Sequence, residues 1–112
     1  MKAVVINKFG GNDVVGIQDI PQPSPGPEDV LIKVHAASIN PVDWKIRSGM
    51  LKIITGSKFP MMLGRECAGE VIGTGGEVKK YKQGDEVIAM PGIRRLGAYA
   101  EYFCAPEGTV FP

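Results

Sequence analysis

Residues 29–49, DVLIKVHAASINPVDWKIRSG, place an alternating apolar stretch directly before a polar segment. The alternation from Asp29 to Ile39 predicts a strand with one buried face, formed by Val30, Ile32, Val34 and Ala36. The next eight residues, Pro41 to Ser48, predict one or two helical turns, because proline suits the first helical position. Polar side chains that follow the end of a strand are often functional. This segment is therefore the candidate site.

The rest of the chain predicts short strands joined by turns. Fifteen glycines and nine prolines in 112 residues disfavour long helices. Strands are expected at residues 2–7 and 14–20, as a hairpin, and at 70–74, 86–90 and 98–105. Residues 21–27 are expected to be an extended connector and 50–58 a loop. These elements predict a partly open β-barrel or a compact β-sandwich.

Length and charge narrow the classes of function. A chain of 112 residues fits one domain, and 13 basic against 12 acidic residues give a net charge of +1. A balanced charge gives no reason to expect a nucleic acid or an anionic membrane as partner. The sequence contains neither a signal peptide nor an apolar run of about 20 residues. We therefore expect a cytoplasmic protein.

The two cysteines and the histidine give only weak evidence for a metal or catalytic site. Cys67 and Cys104 lie in apolar, strand-like runs, which favours two buried reduced thiols, with a disulfide or metal pair as the alternative. His35 is the single histidine and has no cysteine or carboxylate at ligand spacing, so we expect a structural role at the surface. The chain has neither a nucleophile elbow nor a phosphate loop. By themselves these residues name no reaction.

Four ordered motifs carry a family resemblance. They are VHAASINPVDWKIRSG at 34–49, GRECAGEV at 64–71, GDEV at 84–87 and GAYAEY at 97–102. In them the chain resembles the N-terminal, GroES-like domain of medium-chain dehydrogenase/reductases, in the zinc-independent quinone oxidoreductase and enoyl or alkenal reductase branch. The resemblance covers essentially all of residues 1–112. It implies a mainly β fold, a GroES-like partly open β-barrel with one or two short helices.

Two departures from the zinc alcohol dehydrogenases predict that zinc is absent. Asn40 stands where those enzymes carry a zinc-ligating cysteine, and Arg65 stands where a Gly-His-Glu motif supplies a histidine. A protonated guanidinium has no lone pair for a metal, and an amide is a poor zinc ligand. The four-cysteine lobe of the structural zinc site is also missing. No metal is expected at either place.

The resemblance implies hydride transfer from NADPH, with NADH possible, to a quinone or an enone. Asn40 and Asp43 are the implied catalytic residues, with Asn40 near the nicotinamide and the reacting carbonyl. Asn40, Trp44 and Lys45 are the implied cofactor-binding residues, and Lys45 could instead hold a substrate oxyanion or a cofactor phosphate. The alternatives are that Asp43 only caps the helix and Trp44 only fills the core. Arg47 and Arg65 could simply pair with carboxylates.

The family enzyme also needs a nucleotide-binding domain, and no such segment occurs in these 112 residues. We therefore expect residues 1–112 to be the N-terminal domain of a longer, homodimeric reductase and to be inactive alone. The alternative is a non-enzymatic GroES-like β-barrel module that binds other proteins.

Overall fold

The computed structural model describes residues 1–93 and 95–112. Two helices, α1 (Pro41–Ser48) and α2 (Lys52–Thr55), accompany the strands of two sheets. In chain order, the strands are β1 (Lys2–Ile6), β2 (Val15–Asp19), β3 (Asp29–Ala37), β4 (Met61–Met62), β5 (Cys67–Thr74), β6 (Glu86–Ala89), β7 (Tyr102–Pro106) and β8 (Val110–Phe111). Short 3₁₀ turns precede β2 and β8. Among the described residues, no helix has the length and apolar character needed to cross a membrane.

The strands form a three-stranded sheet in the order β2-β1-β4 and a five-stranded sheet in the order β7-β3-β5-β6-β8. All pairs are antiparallel, and β3 lies between β5 and β7, where Ile32 pairs with Val71 and with Phe103. The larger sheet curls around a core made mainly of valine, isoleucine and alanine side chains, with Phe103 among them. This confirms the predicted mainly β fold, a GroES-like partly open β-barrel with two short helices.

A second, smaller core holds α1 against the three-stranded sheet. Ile46 of α1 is 1% exposed and packs with Ile6, Met61 and Leu63. The apolar side of the helix is therefore buried, while its N-terminus lies beside the end of β3. This packing fixes where the residues after β3 are presented.

Helix α1 begins and ends at the residues that the sequence pattern indicates. Pro41 occupies the first turn, and the Asp43 carboxylate accepts the backbone N–H of Asn40 at 2.7 Å. Gly49 has φ +90°, and its N–H bonds the carbonyls of Ile46 and Lys45. A left-handed residue at this position favours glycine. The predicted helix is confirmed.

The structure corrects several local expectations. Leu31 of β3 is buried and Ala36 is exposed, because irregular pairing with β5 interrupts the alternation at Leu31/Ile32 and at Val34/Ala36. The expected loop at 50–58 contains α2. The two-residue strands β4 and β8 were not predicted. They are strands because they pair with β1 and β6, respectively. A stretch of two residues is too short to show an alternating pattern, so the sequence could not indicate them.

The expected exposure of His35 and the expected burial of the two cysteines are confirmed. His35 is exposed, and Cys67 and Cys104 are free and buried. Burial raises the pKa of each thiol to about 11, so both are un-ionised near neutral pH.

Gly64→Ala should destabilise the protein strongly. Gly64 has φ +94°, and a Cβ there would lie 2.6 Å from both the backbone N and Cδ1 of Tyr99. Left-handed strain and the clash together should lower the free energy of unfolding by about 2–4 kcal/mol in urea denaturation.

Gly84→Ala is the matched control. Gly84 has φ +99°, but among the described atoms nothing lies within 4 Å of the position that a Cβ would take. In this variant only the added backbone strain should lower the free energy of unfolding, by about 1–2 kcal/mol. Equal losses in the two variants would show that the approach of Tyr99 to Gly64 contributes nothing.

Candidate functional site

A cleft of about 510 Å³ lies beside the end of β3, the first turn of α1 and the three-stranded sheet. Most of its walls are apolar, and its polar side chains come from four residues. The lining residues are Val4, Val15, Ala37, Ile39, Asn40, Asp43, Trp44, Arg47, Leu63 and Tyr99. The structure thus brings three of the four predicted site residues, Asn40, Asp43 and Trp44, to one cleft. Lys45 is not among the described residues that line it.

Asp43 is buried, with 7% of its surface exposed, and its two carboxylate oxygens have different surroundings. Oδ2 accepts the Asn40 N–H and lies 2.7 Å from the Tyr99 hydroxyl. Oδ1 is buried and has no hydrogen-bond partner among the described residues. Asp43 therefore caps α1, as the structural alternative proposed, and is one of the residues that line the cleft.

Tyr99 is held between two acceptors. Its hydroxyl is 2.8 Å from the Ser38 carbonyl oxygen as well as 2.7 Å from Asp43 Oδ2. Burial, together with the hydrogen bond to the Asp43 carboxylate, raises the pKa of Tyr99 well above its usual range. The phenol is therefore protonated near neutral pH and acts as a hydrogen-bond donor.

Asn40 contacts a second carboxylate, that of Glu66. Its Nδ2 lies 3.0 Å from Glu66 Oε1 and 3.3 Å from Ser38 Oγ. The Ser38 hydroxyl also donates to Glu66 Oε1. These hydrogen bonds from Ser38 and Asn40 lower the pKa of Glu66, with a smaller contribution from the nearby Arg65 guanidinium. Glu66 is therefore ionised and can only accept hydrogen bonds.

Trp44 and Lys45 lie on the outer side of α1. Trp44 is 46% exposed, so it does not fill the core, and its ring lies 5.9 Å from Lys45 Nζ. The indole forms part of the cleft wall and the Lys45 ammonium stands beside it. This half-buried cation beside an aromatic ring could contact a charged part of a ligand.

The two arginines have structural partners. Arg47 donates from Nε to the Gly10 carbonyl at 3.2 Å, and from Nη1 to Asn12 Oδ1. It therefore joins α1 to the turn after β1 rather than pairing with a carboxylate. Arg65 Nη2 lies 4.0 Å from Glu66 Oε2, which is the expected ion pair.

Within the described ranges, no group of three or more His, Cys, Asp or Glu side chains could hold a metal ion. Glu66 accepts hydrogen bonds from Asn40 and Ser38 and pairs with Arg65. The absence of zinc stays a prediction.

Sequence reasoning missed Tyr99, Ser38 and Glu66 as members of the site. Tyr99 contacts Asp43 across 56 residues, and Glu66 contacts Asn40 across 26 residues. The motifs at 64–71 and 97–102 did mark both regions, but a motif does not show which side chains meet. The folding of three segments around the N-terminus of α1 brings them together.

Tyr99→Phe should lower the free energy of unfolding by about 1–3 kcal/mol, because the buried Asp43 carboxylate loses a donor. Tyr102→Phe is the control, since the Tyr102 hydroxyl makes no hydrogen bond within the part of the chain that is described, and it should change stability by less than about 0.5 kcal/mol. Urea denaturation measures both. The same small change in both variants would contradict the role given to the Tyr99 hydroxyl.

Glu66 should make stability depend on acid pH. Its pKa is lower in the folded protein than the ordinary value of 4.5, so the unfolded chain binds the proton more tightly. Its contribution is complete above pH 4.5 and is lost as the pH falls through the lowered pKa. In urea denaturation, wild type should therefore lose its advantage over Glu66→Gln between pH 5 and 3. A difference between them that is constant over this range would contradict the assignment.

Comparison with known proteins identifies the domain. The family model of the alcohol dehydrogenase GroES-like domain matches residues 26–112. A chloroplastic quinone oxidoreductase, QR1 of Triphysaria versicolor, is 42% identical over 109 residues, which are 96% of this chain and 33% of that protein. An NADPH-dependent alkenal/one oxidoreductase, chloroplastic, from Arabidopsis thaliana is 41% identical over 114 residues, covering 96% of this chain and 29% of that protein.

The solved structures that resemble this chain include two quinone oxidoreductases. The quinone oxidoreductase of Coxiella burnetii superposes with a TM-score of 0.88 at 38% identity, covering 99% of this chain and 36% of that one. The Escherichia coli quinone oxidoreductase complexed with NADPH has a TM-score of 0.87 at 28% identity, covering 99% of this chain and 32% of that one.

These comparisons also correct the expected location. The similar proteins from Triphysaria versicolor and Spinacia oleracea are named chloroplastic, and one from Arabidopsis thaliana is named for the chloroplast envelope. The expectation of a cytoplasmic protein is therefore wrong, since neither composition nor charge encodes a compartment.

The chain spans about a third of the length of the curated relatives it matches. With most of its length matched by one family model, the chain belongs to the alcohol dehydrogenase GroES-like domain family.

Proposed function

We propose that this domain forms the substrate side of the active cleft in an NAD(P)H-dependent oxidoreductase that reduces quinones or α,β-unsaturated carbonyls without zinc. The observation that carries the proposal is the apolar cleft of about 510 Å³ with Asn40 and the buried Asp43 in its wall. A nucleotide-binding domain outside these residues would hold most of the cofactor, and the whole enzyme would be a homodimer.

The volume and the lining of the cleft are suitable for a small planar ring. Its volume lies within the usual range for small-molecule sites, and Val4, Ile39 and Leu63 contribute apolar wall. The exposed indole of Trp44 offers a face for stacking. The half-buried side-chain amide of Asn40 lines the cleft and can form a hydrogen bond with a bound molecule, such as the amide of a nicotinamide. These features support the cofactor and substrate classes named above.

The preferred cofactor is NADPH, with NADH as the alternative. The Arabidopsis thaliana relative is named NADPH-dependent, and the Escherichia coli structure is complexed with NADPH. A bound reduced nicotinamide supplies a hydride, which carries both electrons of the reduction. A proton from water completes the hydroquinone or the saturated carbonyl product.

In this reaction the domain positions groups and excludes water. Asn40 and Asp43 would contact the reacting groups, and the apolar walls would keep solvent from the hydride acceptor. Lys45, which stands beside Trp44, would contact the cofactor from the rim of the cleft, where an ammonium can meet a phosphate. Each role is one of orientation, so the residues need to be held rigidly.

The side chains of Asn40 and Arg65, which stand where the zinc alcohol dehydrogenases have metal ligands, explain why zinc is not part of the proposal. Asn40 Nδ2 already donates to Glu66 and Ser38, and the Arg65 guanidinium stays protonated. Neither position offers a soft ligand of the kind that zinc sites use.

The proposal can be tested with a chimera in which residues 1–112 replace the matching third of Triphysaria versicolor QR1. It should oxidise NADPH with 1,4-naphthoquinone and keep this activity after dialysis against EDTA, whereas the 112-residue chain alone should show no steady oxidation. Asn40→Ala and Asp43→Ala should each lower kcat/KM at least about tenfold.

His35→Ala is the control, because His35 is exposed and lies outside the lining of the cleft. It should leave turnover unchanged. A folded chimera that binds NADPH but reduces neither a quinone nor an enone would contradict the proposal. Activity that disappears with EDTA would contradict its zinc-free part.

A further inference from the structure

None of the four side chains of α2 is buried, although two of them are isoleucines. Ile53 is 97% exposed, and Met50, two residues before the helix, is 65% exposed. A helix of one turn gains little from intrinsic propensity and normally depends on the burial of an apolar face. The apolar side chains of α2 instead face solvent, which is favourable only if something else covers them.

The backbone nevertheless holds this helix in a defined place. The carbonyl oxygen of Leu51 accepts the backbone N–H groups of Ile54 and Thr55, at 2.9 and 3.0 Å. On either side of the helix, Leu51 and Phe59 pack against the second core. The exposed isoleucines therefore lie on an ordered turn that is anchored at both ends.

The balanced net charge of the chain conceals an uneven distribution around α2. Residues 44–65 contain five of the 13 basic residues and none of the 12 acidic ones, so the rest of the chain carries eight basic against twelve acidic residues. Lys52 and Lys58 are exposed and form no ion pair within the described ranges. Exposed apolar side chains beside unpaired cations are typical of segments that bind anionic lipid surfaces.

A groove of about 350 Å³ beside α2 brings the two kinds of side chain together. Ile54 and Lys58 both line it, and most of its other lining residues are apolar, among them Met62, Ile93 and Leu96. No carboxylate belongs to the described lining of this groove. An acyl chain at Ile54 and a lipid phosphate at Lys58 can therefore be bound on the same side of the helix.

We propose that the α2 surface, formed by Met50, Lys52, Ile53, Ile54 and Lys58, docks the protein onto an anionic lipid surface. The apolar side chains would enter the interfacial layer of the bilayer, and the two lysines would contact lipid phosphates. A nucleic acid also offers phosphates, but it has no apolar layer that could take up an exposed isoleucine. The docking is independent of the reaction in the cleft, and it would bring the protein to the layer in which apolar quinones dissolve.

The test measures cosedimentation of the 112-residue chain with vesicles. The chain should bind vesicles of phosphatidylcholine that contain about a third phosphatidylglycerol, and it should remain in the supernatant with pure phosphatidylcholine. Raising the salt to about 1 M NaCl should weaken the binding at least about tenfold, because the Debye length then falls to about 3 Å.

Two variants separate the apolar from the electrostatic contribution. Ile53→Ser removes the most exposed apolar side chain and should weaken vesicle binding at least about fivefold. The double variant Lys52→Gln/Lys58→Gln should weaken it at least about tenfold, since each lysine near an anionic surface contributes about fivefold.

Matched controls carry the same substitutions elsewhere on the surface. Ile17→Ser is the apolar control, because Ile17 is 70% exposed on β2. Lys79→Gln/Lys80→Gln is the charge control, because both lysines are exposed in the turn after β5. Both controls should bind vesicles as wild type does. Circular dichroism shows whether each variant is folded.

The QR1 chimera and light scattering distinguish a lipid from other occupants of the α2 surface. If the rest of the enzyme covers this surface, the 112-residue chain will bind vesicles and the chimera will not. If a second copy covers it, the chain will be a dimer in light scattering and Ile53→Ser will be a monomer.

Either of these results would overturn the inference. So would absence of binding to anionic vesicles, or equal losses of binding in the α2 variants and their controls. Vesicle binding and NADPH oxidation are separate readouts of the chimera, so its failure to reduce a quinone or an enone would count only against the proposed function.

Discussion

The site depends on hydrogen bonds to two carboxylates that flank the N-terminus of α1. Asp43 binds the Asn40 backbone N–H and the Tyr99 hydroxyl, and Glu66 binds the side chains of Ser38 and Asn40. A carboxylate as buried as Asp43 would be strongly destabilising without donors. The requirement to satisfy both carboxylates therefore fixes the course of the chain from the end of β3 into α1, and with it the wall of the cleft.

The scaffold meets this requirement through close backbone approaches. At Gly64 the chain turns in a left-handed conformation, and its carbonyl accepts the N–H groups of Gly97 and Ala98. The same approach sets Tyr99 directly against Gly64, where no side chain would fit. Ile46, buried in the second core, holds α1 from the other side. A positioning site needs this kind of support, because small displacements of its groups lower the rate greatly.

The elements that the sequence could predict, α1 and β3, are indicated by preferences and patterns of neighbouring residues. Pro41, Asp43 and Gly49 indicate the start and end of α1 by their intrinsic preferences, and the alternation in β3 indicates a strand. Non-local contacts account for what it could not. The strands β4 and β8 exist only through their partners, and the bulged pairing of β3 with β5 overrides the simple alternation that placed Ala36 inside. The contact of Tyr99 with Asp43 joins segments 56 residues apart, which no periodicity reveals. The resemblance supplied the family and the candidate residues, while the geometry supplies their hydrogen-bonding directions.

The most direct test is a fluorescence titration of the 112-residue chain with 1,4-naphthoquinone, which quenches indole emission. Trp44 is the single tryptophan and lines the cleft, so its emission reports on a molecule that binds there. If the cleft binds the ring of a quinone, quenching should saturate, and the Trp44 signal should then be protected from a second, soluble quencher such as iodide. Quenching that rises linearly without saturation, as for free tryptophan, would contradict the assignment of this cleft as a quinone site.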